Sequence, residues 1–269
     1  MLFCPGAFLW LGVGRGKPRG VHIAAASVMS LLLDAVRLRW DSMKSVRRRS
    51  RRTSLLHVKL EQFWTPAPKD AQQTAVVRLP QFFSAEEVGQ ILALSDSVPI
   101  HRLLRDEQWE TRYLHADGRF SAALPLLQEK LLAAAHAVDT EQGWNLMHGR
   151  SIGLRLVEMH RVSPSMESSL LHSTHYDRDS LLTLDLMLQP AAAGGVFETL
   201  EPNGKMRKHA FELGDLLVFV SHKYHCVSGV QEGTRCVMVV ELWEGESKRC
   251  AHRCDARFGT CERGENEPN

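Results

Sequence analysis

His175, Asp177, His225 and Arg235 are the side chains of this chain whose types and spacing could do chemistry together on a metal ion. Two imidazoles and one carboxylate can occupy one face of an ion and leave the other face open. That is the donor set of mononuclear non-haem Fe(II) sites that activate oxygen. Tyr176 between His175 and Asp177 makes stereochemical sense as a spacer. On an extended segment the side chains alternate, so His175 and Asp177 would leave the sheet on the same side and could share one ion.

A bare His-x-Asp is a weak signal, and His115-Ala116-Asp117 is a second instance of it. That one falls in the polar turn Leu114 to Arg119, without a strand pattern, and reads as a solvated loop. His175-Tyr176-Asp177 is followed instead by the strand-like run Leu181 to Leu188, and a second strand, Leu216 to Val220, leads into His225. His222 and His225 compete for the role of distal ligand. Counting ten residues on from His225 reaches Arg235, whereas ten on from His222 reaches Glu232. An acidic co-substrate needs a cation deep in the site, so His225 is read as the ligand and His222 as an outer or surface histidine.

Further pieces follow in a fixed order: Gly194-Gly195-Val196-Phe197, then Gly214-Asp215-Leu216-Leu217-Val218-Phe219, His225-x-Val227, and Gly233-x-Arg235 with a strand ending at Trp243. Upstream, Val76 to Glu87 has the form of a strand and a helix start, and Leu154 to Glu158 that of the strand before the first ligand. Together, over roughly residues 74 to 245, the chain resembles the Fe(II)/2-oxoglutarate-dependent dioxygenases of the prolyl 4-hydroxylase type. The resemblance implies a double-stranded β-helix, or jelly roll, with supporting helices on one side. It implies iron held by His175, Asp177 and His225, and 2-oxoglutarate with its far carboxylate on Arg235. O2 would be the oxidant and ascorbate a reductant.

The implied activity is hydroxylation of an unactivated C–H bond, with succinate and CO2 released, as in procollagen-proline 4-dioxygenases. Peptidyl proline is the expected substrate and a free amino acid or small metabolite the alternative. Two departures stand out. Many prolyl hydroxylases have a tyrosine near Leu181, and Arg235 stands where lysine is common, which keeps the charge but not its geometry. No nucleic acid is expected. Demethylases of nucleobases usually carry a further arginine six residues beyond the co-substrate cation, where this chain has Glu241. A degenerate, cupin-like barrel that binds metal or ligand without turnover is the non-enzymatic alternative.

The elements that must position these residues can be read from pattern. With 269 residues, 44% hydrophobic content and a formal net charge of +2, the chain can bury one sizeable core and shows no global bias toward nucleic acid. Residues 1–54 differ: eleven arginines and lysines against Asp34 and Asp41 read as a targeting leader for an organelle or the secretory pathway, or as a disordered tail. A membrane anchor there is not expected, because Val21 to Val36 is short and contains His22 and Asp34. Without such an address the chain would be cytoplasmic, and the leader is expected to be dispensable for catalysis.

Residues 55–245 read as the catalytic domain, best matched from 149, and 246–269 as a cysteine-containing tail. Ser84 to Glu87 is a capping box opening a helix, and a second helix is expected over Ser121 to Val138. In the run Leu181 to Gln189, four leucines share one face and should meet the helices. Thr183 and Asp185 share the other, which makes Thr183 a candidate contact of the co-substrate. Gly194 and Gly195 suggest a tight turn at the barrel rim. In the tail, Cys250, His252, Cys254 and Cys261 read as one disulfide or a zinc site, with the disulfide expected and free thiols the remaining option.

Overall fold

Leu182, Leu184, Leu186 and Leu188 form a fully apolar face, and each is at most 2% exposed. In the computed structural model, which describes residues 70–104, 109–164, 170–256 and 261, these leucines pack in one core with residues of the helices. The expected leader lies outside the described residues. No described helix is long and apolar enough to cross a membrane.

In chain order the main elements are β1 (Val77–Leu79), α1 (Ala85–Ser97), β2 (Arg102–Leu104), β3 (Trp109–Tyr113), α2 (Arg119–Ala123), α3 (Pro125–Glu141), β4 (Ile152–Val162) and β5 (Leu170–His175). They continue with β6 (Leu182–Gln189), β7 (Ala193–Gly194), β8 (Phe197–Leu200), β9 (Met206–Lys208), β10 (Leu216–Val220), β11 (His225–Val227), β12 (Val230–Glu232) and β13 (Arg235–Glu244). A seven-stranded sheet runs β1-β10-β6-β13-β4-β3-β2, and a four-stranded sheet runs β5-β11-β8-β9. Every described pairing is antiparallel.

The large sheet is covered on both faces, and β10 shows why its sequence is apolar without alternation. Leu216, Val218 and Val220 join the helix-side core, while Leu217 and Phe219 join Phe197 and Val227 of the small sheet. This is the jelly roll with helices on one side that the pattern implies.

The capping box forms as expected: the Ser84 hydroxyl accepts from Glu87 N at 3.2 Å, and Ser84 N donates to the Glu87 carboxylate at 2.8 Å. The second helix is a correction. Residues 119–141 form two helices, because Leu124 leaves helical geometry (φ −131°, ψ 52°) and Pro125 starts α3. Proline fits the first helical turn but breaks an interior, so Pro125 marks a start.

A candidate iron and 2-oxoglutarate site

His175 ends β5 and His225 starts β11, and the two are directly paired across those strands. Their rings meet edge to face with centroids 5.0 Å apart. Asp177 lies two residues past the strand end, and its N–H donates to Ser221 O at 2.8 Å. His175 Nε2 stands 3.4 Å from Asp177 Oδ1, and His225 Nε2 3.8 Å from Oδ2. One donor atom from each of the three residues falls within 4.8 Å of the others, so the group could hold a metal.

The surroundings prepare two of the three donors. His225 Nδ1 lies 3.0 Å from Lys223 O and, as the N–H donor to that carbonyl, leaves Nε2 with its lone pair toward Asp177. Burial pushes the His225 imidazole toward its neutral form, the form that ligates metals. Phe197 stacks on its ring and Phe219 meets it edge-on. Burial alone would raise the Asp177 carboxyl, but His225, His175 and Arg253 outweigh it and hold the group below the usual carboxylate range. Thr183 donates to Asp177 Oδ2 at 2.7 Å and lies 2.9 Å from the Ser221 hydroxyl. The structure thus gives the Thr183 hydroxyl to the Asp177 carboxylate of the candidate metal group, where sequence reasoning aimed it at the co-substrate.

Arg235 opens β13 and is 3% exposed. Its Nε and Nη2 have no hydrogen-bond partner among the described residues. A buried guanidinium with two unmet donors is a costly arrangement that an anion would satisfy, and the planar fork suits a carboxylate. The guanidinium lies 5.9 Å from the centre of the Phe211 ring. Gly195 supplies the space: its φ is +64°, and a Cβ there would fall 2.9 Å from Arg235 Cδ. At Gly194 a Cβ would fall 2.1 Å from Gly229 O. The two glycines therefore serve close packing under the site as well as the turn expected from their sequence.

These groups open into one cavity of about 380 Å³, also lined by Asp185, Phe197, His160 and Trp109. Asp185 is 6% exposed, and burial, reinforced by the Asp177 charge, pushes its carboxyl up to about 7. Sequence reasoning missed most of the polar wall. Glu158, 1% exposed, receives Arg253 Nε and Nη2 in two bonds of 2.9 Å each, and His160 Nε2 lies 3.1 Å from it. Arg253 also pairs with Glu241 at 3.0 Å and lies 4.0 Å from Asp177. Glu241 holds Arg155 at 2.7 Å. Between Glu241 and Leu242 the pairing of β13 with β4 slips, and Arg155 is the residue left over at the bulge. Glu158 and His160 share a period-two face of β4, a signal available in the sequence; Arg253 gave none.

The other His-x-Asp is corrected in part. His115 is not solvated; it is 2% exposed, and its Nδ1 lies 3.1 Å from both N and O of Val157. The turn is pinned beneath β4, where Leu114 N donates to Val157 O. Asp117 points elsewhere, to Arg119, so the pair forms no metal group. His222 is buried and stacks on Tyr176, with centroids 5.6 Å apart, outside the donor set. In the tail, Cys250, Cys254 and Cys261 are unbridged, so the expected disulfide is not present. Three sulfurs and the His252 imidazole converge within 4.8 Å of one another, an arrangement of four donors rather than two.

No protein-family model matches the chain, and no curated protein matches it in sequence. Solved structures do. An oxidoreductase of the 2OG-Fe(II) oxygenase family from Burkholderia pseudomallei superposes with a TM-score of 0.51 at 16% identity, over 70% of this chain and 98% of its own. A prolyl hydroxylase from Trichoplax adhaerens, in complex with a peptide fragment of the hypoxia inducible factor oxygen degradation domain, gives 0.50 at 17% identity, over 65% of this chain and 86% of its own. The chain has the fold of the 2OG-Fe(II) oxygenases, as its motif order implied.

Proposed function

We propose that this chain is an Fe(II)- and 2-oxoglutarate-dependent dioxygenase that hydroxylates an unactivated C–H bond. The observation that carries the reading is the pairing of the His175, Asp177 and His225 donors with a buried Arg235 whose Nε and Nη2 lack partners. Those are the two halves such an enzyme needs, one for a borderline-hard metal and one for the distal carboxylate of the co-substrate. When bound, iron and 2-oxoglutarate would supply the oxidation, with O2 giving one atom to the substrate and one to succinate as CO2 leaves. The chain's own residues bind, orient and shield. Lys223 O and Thr183 fix two of the donors, Phe197 and Phe219 enclose the distal imidazole, and no side chain is required as a general base.

Peptidyl proline is the substrate we put first, supported by the motif resemblance and by the peptide bound to the Trichoplax neighbour. The test is succinate formation from 2-oxoglutarate in the presence of iron and ascorbate, followed by a mass-spectrometric search for +16 Da products on proline-rich peptides and on a metabolite extract. Turnover that requires both iron and 2-oxoglutarate, and is lost in Asp177→Ala, is expected. A well-folded protein that binds neither would overturn the proposal, and a product found only among free metabolites would overturn the peptide part.

A further inference from the structure

We propose that Cys250, His252, Cys254 and Cys261 form a second metal centre, a structural Zn2+ site, which fastens the C-terminal tail so that Arg253 reaches the wall of the first. The spacing is Cys-x-His-x-Cys followed by a longer gap to Cys261. One sulfur or nitrogen of each residue lies within 4.8 Å of the other three, and Cys261 Sγ is 3.2 Å from His252 Nε2. Zinc bound tetrahedrally at about 2.3 Å to sulfur and about 2.0 Å to nitrogen places its donors about 3.5–3.8 Å apart, which is the scale of this cluster.

Burial and chemistry agree with a closed, structural site. Cys254 is 0% and His252 6% exposed, and Cys250 and Cys261 are half-buried. Four protein donors leave no position for a substrate, unlike the open donor set around Asp177. The two sites also select different metals. Thiolates favour zinc, whereas imidazole with carboxylate and open positions suits Fe(II).

Arg253 stands between two of the four donors in sequence, so a metal on His252 and Cys254 fixes the backbone on both sides of it. The flanking chain is already tied to the barrel. Lys248 N donates to Leu154 O at 2.9 Å, Asp117 N to Arg249 O at 2.7 Å, and Arg155 Nε to Cys254 O at 3.1 Å. From that anchor Arg253 meets Glu158 in the cavity wall and the buried Glu241 behind it. A tail that reads as an appendage would thereby close part of the catalytic pocket.

The experiment is metal analysis of the full-length protein, purified without added zinc, in wild type, His175→Ala, Cys254→Ser and Cys261→Ser. About one zinc per chain is expected in wild type and in His175→Ala, and a loss of most of it in both cysteine variants. Reconstitution with Co2+ in place of zinc should give the intense visible and thiolate charge-transfer bands of a tetrahedral sulfur-rich site, again with His175→Ala. Because His175→Ala disables the iron site, its zinc content separates this proposal from the proposed oxygenase activity. Cys261 is the most peripheral donor, so Cys261→Ser serves if Cys254→Ser does not fold. Folded wild-type protein without zinc, zinc lost with His175, or a tail disulfide found by mass spectrometry under non-reducing alkylation would each overturn the proposal.

Discussion

Replacing Arg253 by glutamine removes one cation from three buried acids and should weaken the fold measurably. Glu158 would lose two bonds of 2.9 Å and retain His160, and Glu241 would retain Arg155. Breaking a buried pair costs about 3–5 kcal/mol, because the partner charge stays buried. Arg253 is 31% exposed while Glu158 is 1%, so solvent screens part of the attraction and the lower end, about 3 kcal/mol, applies. For a domain of this size that is a fall of about 6–12 °C in melting temperature. The deficit should also depend on pH. Glu158, despite a burial that would raise it, is held well below its ordinary 4.5 by Arg253 and His160. A depressed carboxyl contributes stability above its unfolded value and loses it as pH falls through the folded one. Arg253→Gln should therefore lie furthest below wild type above about pH 5 and approach it below the ordinary carboxylate range. Thermal melts of both proteins from pH 2 to 8 are the assay. A variant within 2 °C or so of wild type at pH 7, or a deficit unchanged down to pH 2, would refute the reasoning.

Other perturbations separate the halves of the site. Arg235→Met removes a buried cation two of whose donors lack hydrogen-bond partners, so the protein without co-substrate should melt no lower than wild type near pH 4, where Asp185 is protonated, while 2-oxoglutarate affinity should fall by the 2–5 kcal/mol of a lost charge-assisted pair, about 30-fold to several thousand-fold; ligand-induced thermal shifts read both. Gly195→Ala forces a Cβ to 2.9 Å from Arg235 Cδ at a positive φ, and should weaken 2-oxoglutarate binding while iron binding persists, measured by titration calorimetry. Thr183→Val frees the Asp177 carboxylate and should lower iron affinity about 10- to 100-fold, as loss of an outer-shell partner does. If it weakens 2-oxoglutarate binding and leaves iron alone, Thr183 faces the co-substrate as its sequence position suggested.

The parts of the site that could be read from sequence are those set by local periodicity. His175 and Asp177 are two apart on an extended segment, His225 follows an apolar strand, and the leucine face of β6 fixes which side looks inward. The missed parts are set by contacts between distant segments. Arg155 turns inward because β4 carries a bulge opposite Glu241, and nothing in the run Leu154 to Glu158 announces it. Arg253 reaches the cavity from a tail whose cysteines suggested a crosslink and not a place in the site. His115 was misjudged for the same reason, since a polar turn looks solvated until β4 is laid across it.

The charges around the cavity also explain the position of Asp185. Asp177, Asp185, Glu158 and Glu241 are buried acids, faced by Arg155, Arg235 and Arg253. Burial and the Asp177 charge push the Asp185 carboxyl up to about 7, and Arg235 offsets them only in part. A raised carboxyl is stabilising only while protonated; the contribution is complete below the unfolded value near 3.8 and is lost as pH rises through 7. Metal-free Asp185→Asn should thus match wild type near pH 4 and exceed it by about 4 kcal/mol above pH 8, from roughly three pKa units at about 1.4 kcal/mol each. A divalent cation on Asp177 reverses the balance and favours the charged form of Asp185. Metal binding near pH 7 should therefore release a proton from Asp185, because the His225 imidazole is already neutral. Calorimetry with Mn2+ as the probe, in buffers of different ionisation enthalpy, counts that proton. Its persistence in Asp185→Asn would place the proton on another group and sink the assignment.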